Sequence, residues 1–270
     1  PERAGKWKMF EYTSWLSRRT LLCTGLGLVL VACCPTKVFA TERTVRLKGA
    51  LCARTIRLGD EMVTIDSSTG EKILDLQLSM EASRLASVFE VRPGLVILKS
   101  PDRLARNALA VPSNYVPECG GCKYTVMLGQ ARILSELQDV NHRGWGGITV
   151  AGIMAHEFAH IYQFNTQYHQ RLRQLDDTVK PAELHADFLA GYHLGLKRRS
   201  GAPMDIGAWM DGAYLLGDHD YNNEGHHGTP KERQRAVREG YRTGVEGHQP
   251  VSVAAKIGYN TVREIMQINF

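Results

Sequence analysis

Short apolar runs bounded by turn-forming residues punctuate the first half of the chain beyond residue 40. Runs of about four to eight residues that are rich in β-branched, aromatic and aliphatic side chains are typical of strands. The pattern predicts strands over 44–51, 61–65, 95–98 and 124–128, and a helix over 79–88.

The second half of the chain changes to longer segments that carry helical start and stop signals. Four helices are predicted there, over 148–164, 181–200, 230–240 and 252–267. Pro181 suits the first turn of the second helix, and Gly201 suits its end. Thr229-Pro230-Lys231-Glu232 is a capping box with proline at the first helical position of the third. Strands followed by helices predict an α+β domain.

Residues 1–40 have the layout of an export leader. Arg18 and Arg19 precede a short apolar run over 21–32, and they also suit a twin-arginine signal. The leader has two alternative processing sites: a lipobox that would leave Cys33 lipidated, and a signal-peptidase site after Ala40. We favour the lipoprotein slightly, with an uncleaved anchor as the third alternative. The leader predicts export to the bacterial periplasm or cell envelope, and the lipoprotein alternative adds a lipid anchor in the membrane.

The positive charge of the chain is concentrated in this leader. The whole chain carries 33 Lys and Arg against 28 Asp and Glu, whereas the part after residue 40 carries 27 against 26. No basic patch remains to indicate nucleic-acid binding. We expect 41–147 to be the N-terminal α/β part of one folded unit, 148–244 its helical part and 245–270 a C-terminal tail.

The segment His156-Glu157-Phe158-Ala159-His160 reads H-E-x-x-H and lies in the first predicted helix of the second half. Histidines four residues apart face the same side of a helix, so both imidazoles can bind one zinc ion. Glu157 can then reach a zinc-bound water without being a ligand, as the general base of a metalloprotease does. We expect one Zn²⁺, with Glu157 as the catalytic base.

The next predicted helix supplies a candidate third ligand. Catalytic zinc commonly takes two histidines, one carboxylate and a water. Glu183 is the candidate carboxylate, and Asp187, one turn further on, can accept the second N–H of a zinc-binding histidine. His185 is a rival ligand, but it points about 200° around the helix from Glu183, so the two cannot both face the metal. His169 and His193 are expected at the surface.

His227 precedes the capping box at the amino end of the third helix. From there it can reach the zinc cleft and stabilise the oxyanion that develops on a scissile carbonyl. The alternative is that His227 only packs against the cap. Tyr221 is a weaker candidate for the same role.

Cys119-Gly120-Gly121-Cys122 is a C-x-x-C turn in the body of the chain. In an exported protein a local disulfide between Cys119 and Cys122 is the favoured state. A redox-active pair is the alternative, but no thioredoxin-like pattern surrounds it.

Three blocks of the chain carry the motifs of one known group of enzymes. Residues 156–163 read H-E-x-x-H-x-x-Q and residues 183–191 read E-L-x-A-D-x-x-A-G. In the third block, Gly217-Asp218 is followed by H-G-T-x-x-x-R-x-R at 227–235 and then by Gly240-Tyr241. In these blocks the chain resembles the bacterial neutral zinc metallopeptidase family, a gluzincin-type group of zincins. The resemblance implies a zincin-like fold and zinc-dependent hydrolysis of a peptide or protein substrate. It also implies that the strand at 124–128 is an edge strand that pairs with an extended substrate.

Zinc-dependent peptide hydrolysis is therefore the predicted function. A non-catalytic chaperone or binding module of the cell envelope is an alternative, although a structural zinc site does not need Glu157. Hydrolysis of cell-wall peptide amides is a further alternative.

Overall fold

Five strands form a mixed sheet in the part of the chain that the structure describes. The computed structural model describes residues 54–58, 61–99, 103–113, 122–139, 145–220, 223–247 and 249–267. The strands are β1 (Arg54–Leu58), β2 (Glu61–Asp66), β3 (Gly94–Leu98), β4 (Ala108–Pro112) and β5 (Tyr124–Gly129). Their order across the sheet is β1-β2-β3-β5-β4. Only β3 and β5 run parallel, with Gly94 opposite Thr125, and the other neighbouring pairs are antiparallel.

Side chains alternate between the two faces of a sheet. Because consecutive residues of the central strands are apolar, both faces of the sheet are apolar. Leu95 and Ile97 of β3 join the main core, which the helices share. Val96 and Leu98 point to the opposite face, where they form a smaller cluster with Val63, Ile65, Ala105 and Met127. A short 3₁₀ helix, Arg103–Arg106, carries Ala105 over this second face. The buried runs that predict strands therefore reflect a sheet that is covered on both sides.

Eight α-helices accompany the sheet in the described residues. They are α1 (Lys72–Val88), α2 (Gln130–Gln138), α3 (Gly146–Asn165), α4 (Tyr168–Arg173), α5 (Lys180–Arg199), α6 (Ile206–Leu215), α7 (Pro230–Glu246) and α8 (Val251–Ile265). The fold class is α+β, as the sequence predicts. All described residues fall within one compact unit of the chain. None of the helices described is both long and apolar enough to cross a membrane.

Helix α3 is buried on almost every side. Its buried positions run from Gly146 to Gln163 with few interruptions, and they include His156 and Glu157. A helix that is apolar all round belongs in the middle of a core. Gly152 allows the Trp209 ring to lie directly on α3, since an added Cβ would be 2.7 Å from its Cε3 atom. The candidate ligands of α3 are therefore held by a rigid central element.

Helices α5 and α7 lie side by side with their backbones in direct contact. An added Cβ on Gly191 or Gly195 of α5 would overlap carbonyl oxygens of α7. An added Cβ on Gly240 or Gly244 of α7 would overlap carbonyl oxygens of α5. The contacting positions advance in the same direction along both helices, so the two run parallel. This close approach brings the first turns of α5 and α7 together.

Most predicted elements agree with the structure, and two of the helices differ from it in their bounds. The helix predicted over 79–88 begins earlier, at Lys72, where Asp75 accepts hydrogen bonds from Ser68 and Thr69 at 2.7 Å. The helix predicted to end near Gly240 continues to Glu246, because glycine is tolerated there by close packing against α5. The strand predicted over 44–51, the leader 1–40 and Cys33 lie outside the described residues.

The expectation that 124–128 forms an edge strand is wrong. That segment is β5, which pairs with β3 on one side and β4 on the other. In the described sheet the edge strand next to β5 is β4, Ala108–Pro112, and β1 lies at the other edge. β4 pairs antiparallel with β5, from Ala108 opposite Leu128 to Pro112 opposite Tyr124. The edge strand β4 comes before the interior strand β5 in the sequence. Such a strand order depends on contacts between residues that are distant in sequence.

Candidate metal centre

Three side chains from α3 and α5 converge on one point. His156 and His160 lie one turn apart on α3, and their Nε2 atoms are 3.0 Å apart. Glu183, in the first turn of α5, places Oε2 at 3.2 Å from His156 Nε2 and Oε1 at 3.3 Å from His160 Nε2. In the described part of the chain this is the one group of three or more ligand-type side chains that could hold a metal ion.

The dimensions of this triangle suit a tetrahedral zinc ion. Ligand atoms about 2.0–2.1 Å from such an ion lie about 3.3 Å from one another. The two Nε2 atoms are 3.0 Å apart, and each lies at a similar distance from one oxygen of Glu183, Oε2 at 3.2 Å from His156 and Oε1 at 3.3 Å from His160. Two imidazoles and one carboxylate are also the donor set of catalytic zinc sites that keep one position open. The residues present therefore fit zinc.

Charge also favours a cation at this point. Asp187 is a fully buried carboxylate and the nearby Glu183 a partly buried one, and the Arg233 guanidinium faces both of them. Burial lowers the pKa of His156, but hydrogen bonds and charges of Asp187 and Glu183 outweigh it and raise that pKa to about 10. Buried charges persist only when they are compensated. The carboxylates thus stabilise positive charge between them, whether a proton or a metal ion carries it.

Asp187 fixes the orientation of His156. Its Oδ1 atom is 2.9 Å from His156 Nδ1, and the side chain is fully buried. An ionised carboxylate only accepts, so Nδ1 of His156 donates, and in the neutral imidazole the lone pair of Nε2 points to the cluster. Burial raises the pKa of Asp187, but the charge of Arg233 and the hydrogen bond from His156 outweigh burial, so the pKa is lower than usual. Asp187 therefore stays ionised in this position.

Arg233 is a site residue whose role the sequence did not reveal. From α7 it donates to both oxygens of Asp187, with Nε at 2.6 Å from Oδ2 and Nη2 at 2.9 Å from Oδ1. Its Nη1 atom donates to the Leu216 carbonyl at 3.3 Å. One signal was present: Arg233 falls on the buried stripe of α7 that continues at Ala236 and Gly240. An arginine on such a stripe needs a buried acidic partner.

Gln163 is a second residue near the cluster whose role the sequence did not reveal. It lies one turn beyond His160 on α3 and is fully buried. Its Oε1 atom is 3.1 Å from His160 Nδ1, the nitrogen that faces away from the cluster. Gln163 thus stands behind His160 as Asp187 stands behind His156, but as a neutral amide.

Glu157 lies beside the cluster without joining it. Its side chain is buried, and its carboxylate makes no hydrogen bond to another described residue. Burial raises the pKa of Glu157, while the neighbouring His156 and His160 lower it to a smaller extent. A carboxylate in these surroundings takes up a proton more readily than one in water. This property is the one that a general base needs.

A cavity of about 490 Å³ opens over the cluster. His156, His160, Glu183 and Glu157 all line it. Its other walls come from the edge of the sheet, from apolar side chains and from helix ends, including Asn107, Ala108, Leu109, Ala110, Arg132, Ile153, Phe164, Trp209, Leu216 and Arg233. The candidate ligands, the candidate base and an edge strand therefore share one cavity.

His227 lies at the rim of the same cavity. It lines the cavity, and its side chain is half exposed. Its backbone N–H donates to Asp218 Oδ2 at 2.9 Å, and its Nδ1 atom is 3.5 Å from the same oxygen. The neighbouring His226 is buried and bonded to Asp218 Oδ1. Asp218 thus holds the segment before α7 at the cavity, and an oxyanion role for His227 stays a prediction. Tyr221 lies outside the described residues.

The other histidines near the site have separate roles. His185 is buried, is bonded to Gln163 and to the Ala255 carbonyl, and takes no part in the cluster. The expectation that His169 and His193 lie at the surface is wrong. His193 is fully buried, with Nε2 at 2.7 Å from Glu81 Oε1, because α1 covers that side of α5. His169 is partly buried and lines the cavity.

Cys122 is disulfide-bonded. The predicted partner, Cys119, lies outside the described residues, so the pairing stays a prediction.

Of the predicted site residues, the structure brings together His156, Glu157, His160, Glu183 and Asp187, with His227 at the cavity rim. No protein-family model, curated protein or solved structure matches the chain. The geometry of the site therefore carries the functional proposal.

Proposed function

We propose that the protein is a zinc-dependent metallopeptidase with a zincin-like catalytic domain. The observation that carries the proposal is the triangle of His156, His160 and Glu183 with the buried Glu157 beside it in one cavity. A zinc site that served folding alone would not need Glu157, a buried carboxylate beside the ligands that is not itself a ligand. Exported localisation and a lipid anchor at Cys33 belong to the same proposal and rest on the sequence of the leader.

The side chains divide the chemistry among them. Zinc bound by His156, His160 and Glu183 would polarise a carbonyl and lower the pKa of a water to about 7. Glu157 accepts the proton of the attacking water and delivers it to the leaving amine. Asp187 and Gln163 hold the two imidazoles in the tautomer that leaves Nε2 free to bind. His227 at the rim is the candidate donor to the developing oxyanion.

The edge strand β4 is the candidate docking site for the substrate backbone. Among the described strands β4 has one neighbour, β5, and residues 107–110 line the cavity. An edge strand offers unpaired N–H and C=O groups, to which an extended peptide can add as a further strand. A peptide held in this way would pass over Glu157 and the ligand cluster. The proposed substrate is therefore an extended or unfolded polypeptide.

The proposal is tested by the cleavage of casein, an unfolded protein. The wild type should cleave casein, lose the activity to a chelator and regain it with Zn²⁺. Glu157→Gln should bind zinc yet cleave nothing, whereas Glu224→Gln, the same change at an exposed position, should match the wild type. Cleavage of casein by Glu157→Gln would show that Glu157 is not the general base. Zinc binding without cleavage of any substrate favours a non-catalytic module, and release from cell-wall fragments alone favours the amide-hydrolase alternative.

A further inference from the structure

A buried chain of hydrogen bonds leads from the cluster to the C-terminal helix. It begins at His160 Nδ1, which is 3.1 Å from Gln163 Oε1. Gln163 Nε2 is 2.8 Å from the Ala182 carbonyl and 3.2 Å from His185 Nδ1. His185 Nε2 is 2.9 Å from the Ala255 carbonyl of α8. Gln163 and His185 are both fully buried, so no water competes for these bonds.

The donor in each bond follows from the chemistry of the amide. Gln163 has two N–H groups on Nε2, and the atoms facing them, the Ala182 oxygen and His185 Nδ1, are both acceptors. Its Oε1 atom only accepts, so His160 Nδ1 carries a hydrogen. The Ala255 carbonyl only accepts, so His185 Nε2 donates to it, and the neutral ring accepts at Nδ1 from Gln163. Every donor has an acceptor, and His160 is left with the lone pair of Nε2 towards His156 and Glu183.

Helix α8 packs closely against the hydrogen-bonded residues of this series. An added Cβ on Gly258 would be 2.7 Å from the Phe188 ring and 3.2 Å from His185 Cδ2. His185 is also stacked on the Tyr168 ring, with centroids 5.1 Å apart. α8 therefore fixes where His185 lies, and His185 with Ala182 fixes the amide plane of Gln163.

We infer that Gln163 is a positioning residue for His160, and that α8 anchors it through His185. The inference rests on the proposed function, because it assigns His160 as a zinc ligand. It gives the C-terminal segment, whose purpose the sequence left open, a part in the metal site. α8 holds the ligand cluster in its binding geometry from a distance, without reaching the cavity.

The test is the zinc affinity of the full chain, measured by competition with a chromophoric chelator. Gln163→Met keeps the length of the side chain and removes both kinds of hydrogen bond. Loss of the group that orients a metal-binding histidine costs about 10–100-fold in affinity. Gln170→Met makes the same change at an exposed position of α4 and should bind as the wild type does. The absorption spectrum of the Co²⁺-substituted protein should also change in Gln163→Met alone, since it reports ligand geometry.

Gly258→Ala probes the α8 end of the chain without altering Gln163. We expect it to weaken zinc binding in the same direction, and the exposed Ser252→Ala on the same helix to leave it unchanged. If Gln163→Met fails to fold, the comparison of Gly258→Ala with Ser252→Ala tests the inference on its own. A purely structural role would lower the melting temperature of a variant but leave the zinc affinity and the Co²⁺ spectrum of its folded form intact.

The outcomes separate the inference from the proposed function. Zinc binding by the wild type, with unchanged affinity and spectrum in Gln163→Met, would overturn the inference and leave the peptidase proposal standing. Weakened binding in Gln163→Met but not in Gly258→Ala would remove α8 from the account. Absence of zinc binding by the folded wild type would overturn the proposed function and this inference together.

Discussion

At the scale of single residues, the two candidate histidine ligands are backed by different groups. His156 donates to an ionised carboxylate, Asp187, whereas His160 donates to the neutral amide of Gln163. A carboxylate behind an imidazole raises its basicity as a ligand, and an amide mainly orients it. His156 is therefore expected to be the stronger donor of the pair.

Asp187→Asn is expected to weaken zinc binding by about 10–100-fold, because it removes the carboxylate behind His156. The affinity is measured by chelator competition on the folded protein. Asp211→Asn, the same change at an exposed position of α6, serves as the control and should bind zinc like the wild type. Wild-type affinity in Asp187→Asn would show that His156 does not depend on this contact.

Arg233→Met should lower the free energy of unfolding by about 3–5 kcal/mol, because it leaves the buried Asp187 carboxylate without its cation. Urea denaturation of the wild type and the variant measures the difference. Arg235→Met, an exposed change on the same helix, is the control. The double variant Asp187→Asn with Arg233→Met should recover part of the loss, since no unpaired carboxylate then remains. A single-variant effect within about 0.5 kcal/mol would contradict the pairing.

The sequence could anticipate the site residues that follow helical spacing, and it could not anticipate the others. His156, His160 and Glu157 lie on one face of a helix, and Asp187 follows Glu183 by one turn, so spacing alone groups each set. Arg233 contacts Asp187 across 46 residues, and Gln163 contacts His185 across 22. Such contacts depend on how helices pack, which periodicity within one helix does not describe.

At the scale of the elements, the parallel pair α5 and α7 sets the geometry of the site. The glycines at 191, 195, 240 and 244 let the two backbones touch along their length. Glu183 and Asp187 lie on α5, and Arg233 lies on α7 opposite them. A wider separation of the helices would stretch the bonds between Arg233 and Asp187 before it disturbed the core elsewhere.

Gly240→Ala is expected to destabilise the protein by about 1–3 kcal/mol or more, because its Cβ would overlap the Phe188 carbonyl oxygen, which is backbone and cannot move aside. Thermal unfolding measures the loss. Gly225→Ala, in an exposed loop where the nearest atom is an Asn223 side-chain oxygen at 3.2 Å, is the matched control. Equal melting temperatures for Gly240→Ala and the wild type would mean that the helices are further apart than described.

The kind of each element was more predictable than its place. Apolar runs correctly indicated β2, β3 and β5, and the capping box at Thr229 is present as expected, with Glu232 N–H bonded to the Thr229 hydroxyl. Strand order was not predictable, because β5 enters between β3 and β4 through pairings that local patterns do not encode. The glycines of α5 and α7 look like helix breakers in sequence, yet here they allow close packing.

At the scale of the whole molecule, a buried ionic cluster fastens α1 to the ligand-bearing helix α5. Glu81 of α1 accepts from His193 at 2.7 Å and from Lys197 at 2.6 Å, both on α5. Burial raises the pKa of Glu81, but the hydrogen bond from His193 and the charge of Lys197 outweigh it and lower that pKa well below its usual range. This cluster lies on the opposite end of α5 from Glu183 and stabilises the helix at its carboxyl end.

Glu81→Gln should lower the free energy of unfolding at pH 7 by about 3–5 kcal/mol, because it breaks a buried charge pair. The pKa of Glu81 is lower in the folded state than the value of about 4.3 expected when unfolded, so its contribution is present above pH 4.3. The contribution is lost as the pH falls below that value. Urea titrations at several pH values should therefore show the gap between wild type and variant narrowing on acidification, while Glu224→Gln shows no gap. A gap independent of pH would contradict the assignment.

The central claim is that His156, His160 and Glu183 bind one zinc ion, and metal analysis of the purified full chain tests it most directly. The account predicts one zinc per chain in the wild type and in Glu157→Gln, and a large loss of bound zinc in Glu183→Ala after dialysis against a weak chelator. Glu224→Ala should retain the metal. A folded wild type without zinc, or full zinc occupancy and affinity in Glu183→Ala, would contradict the account.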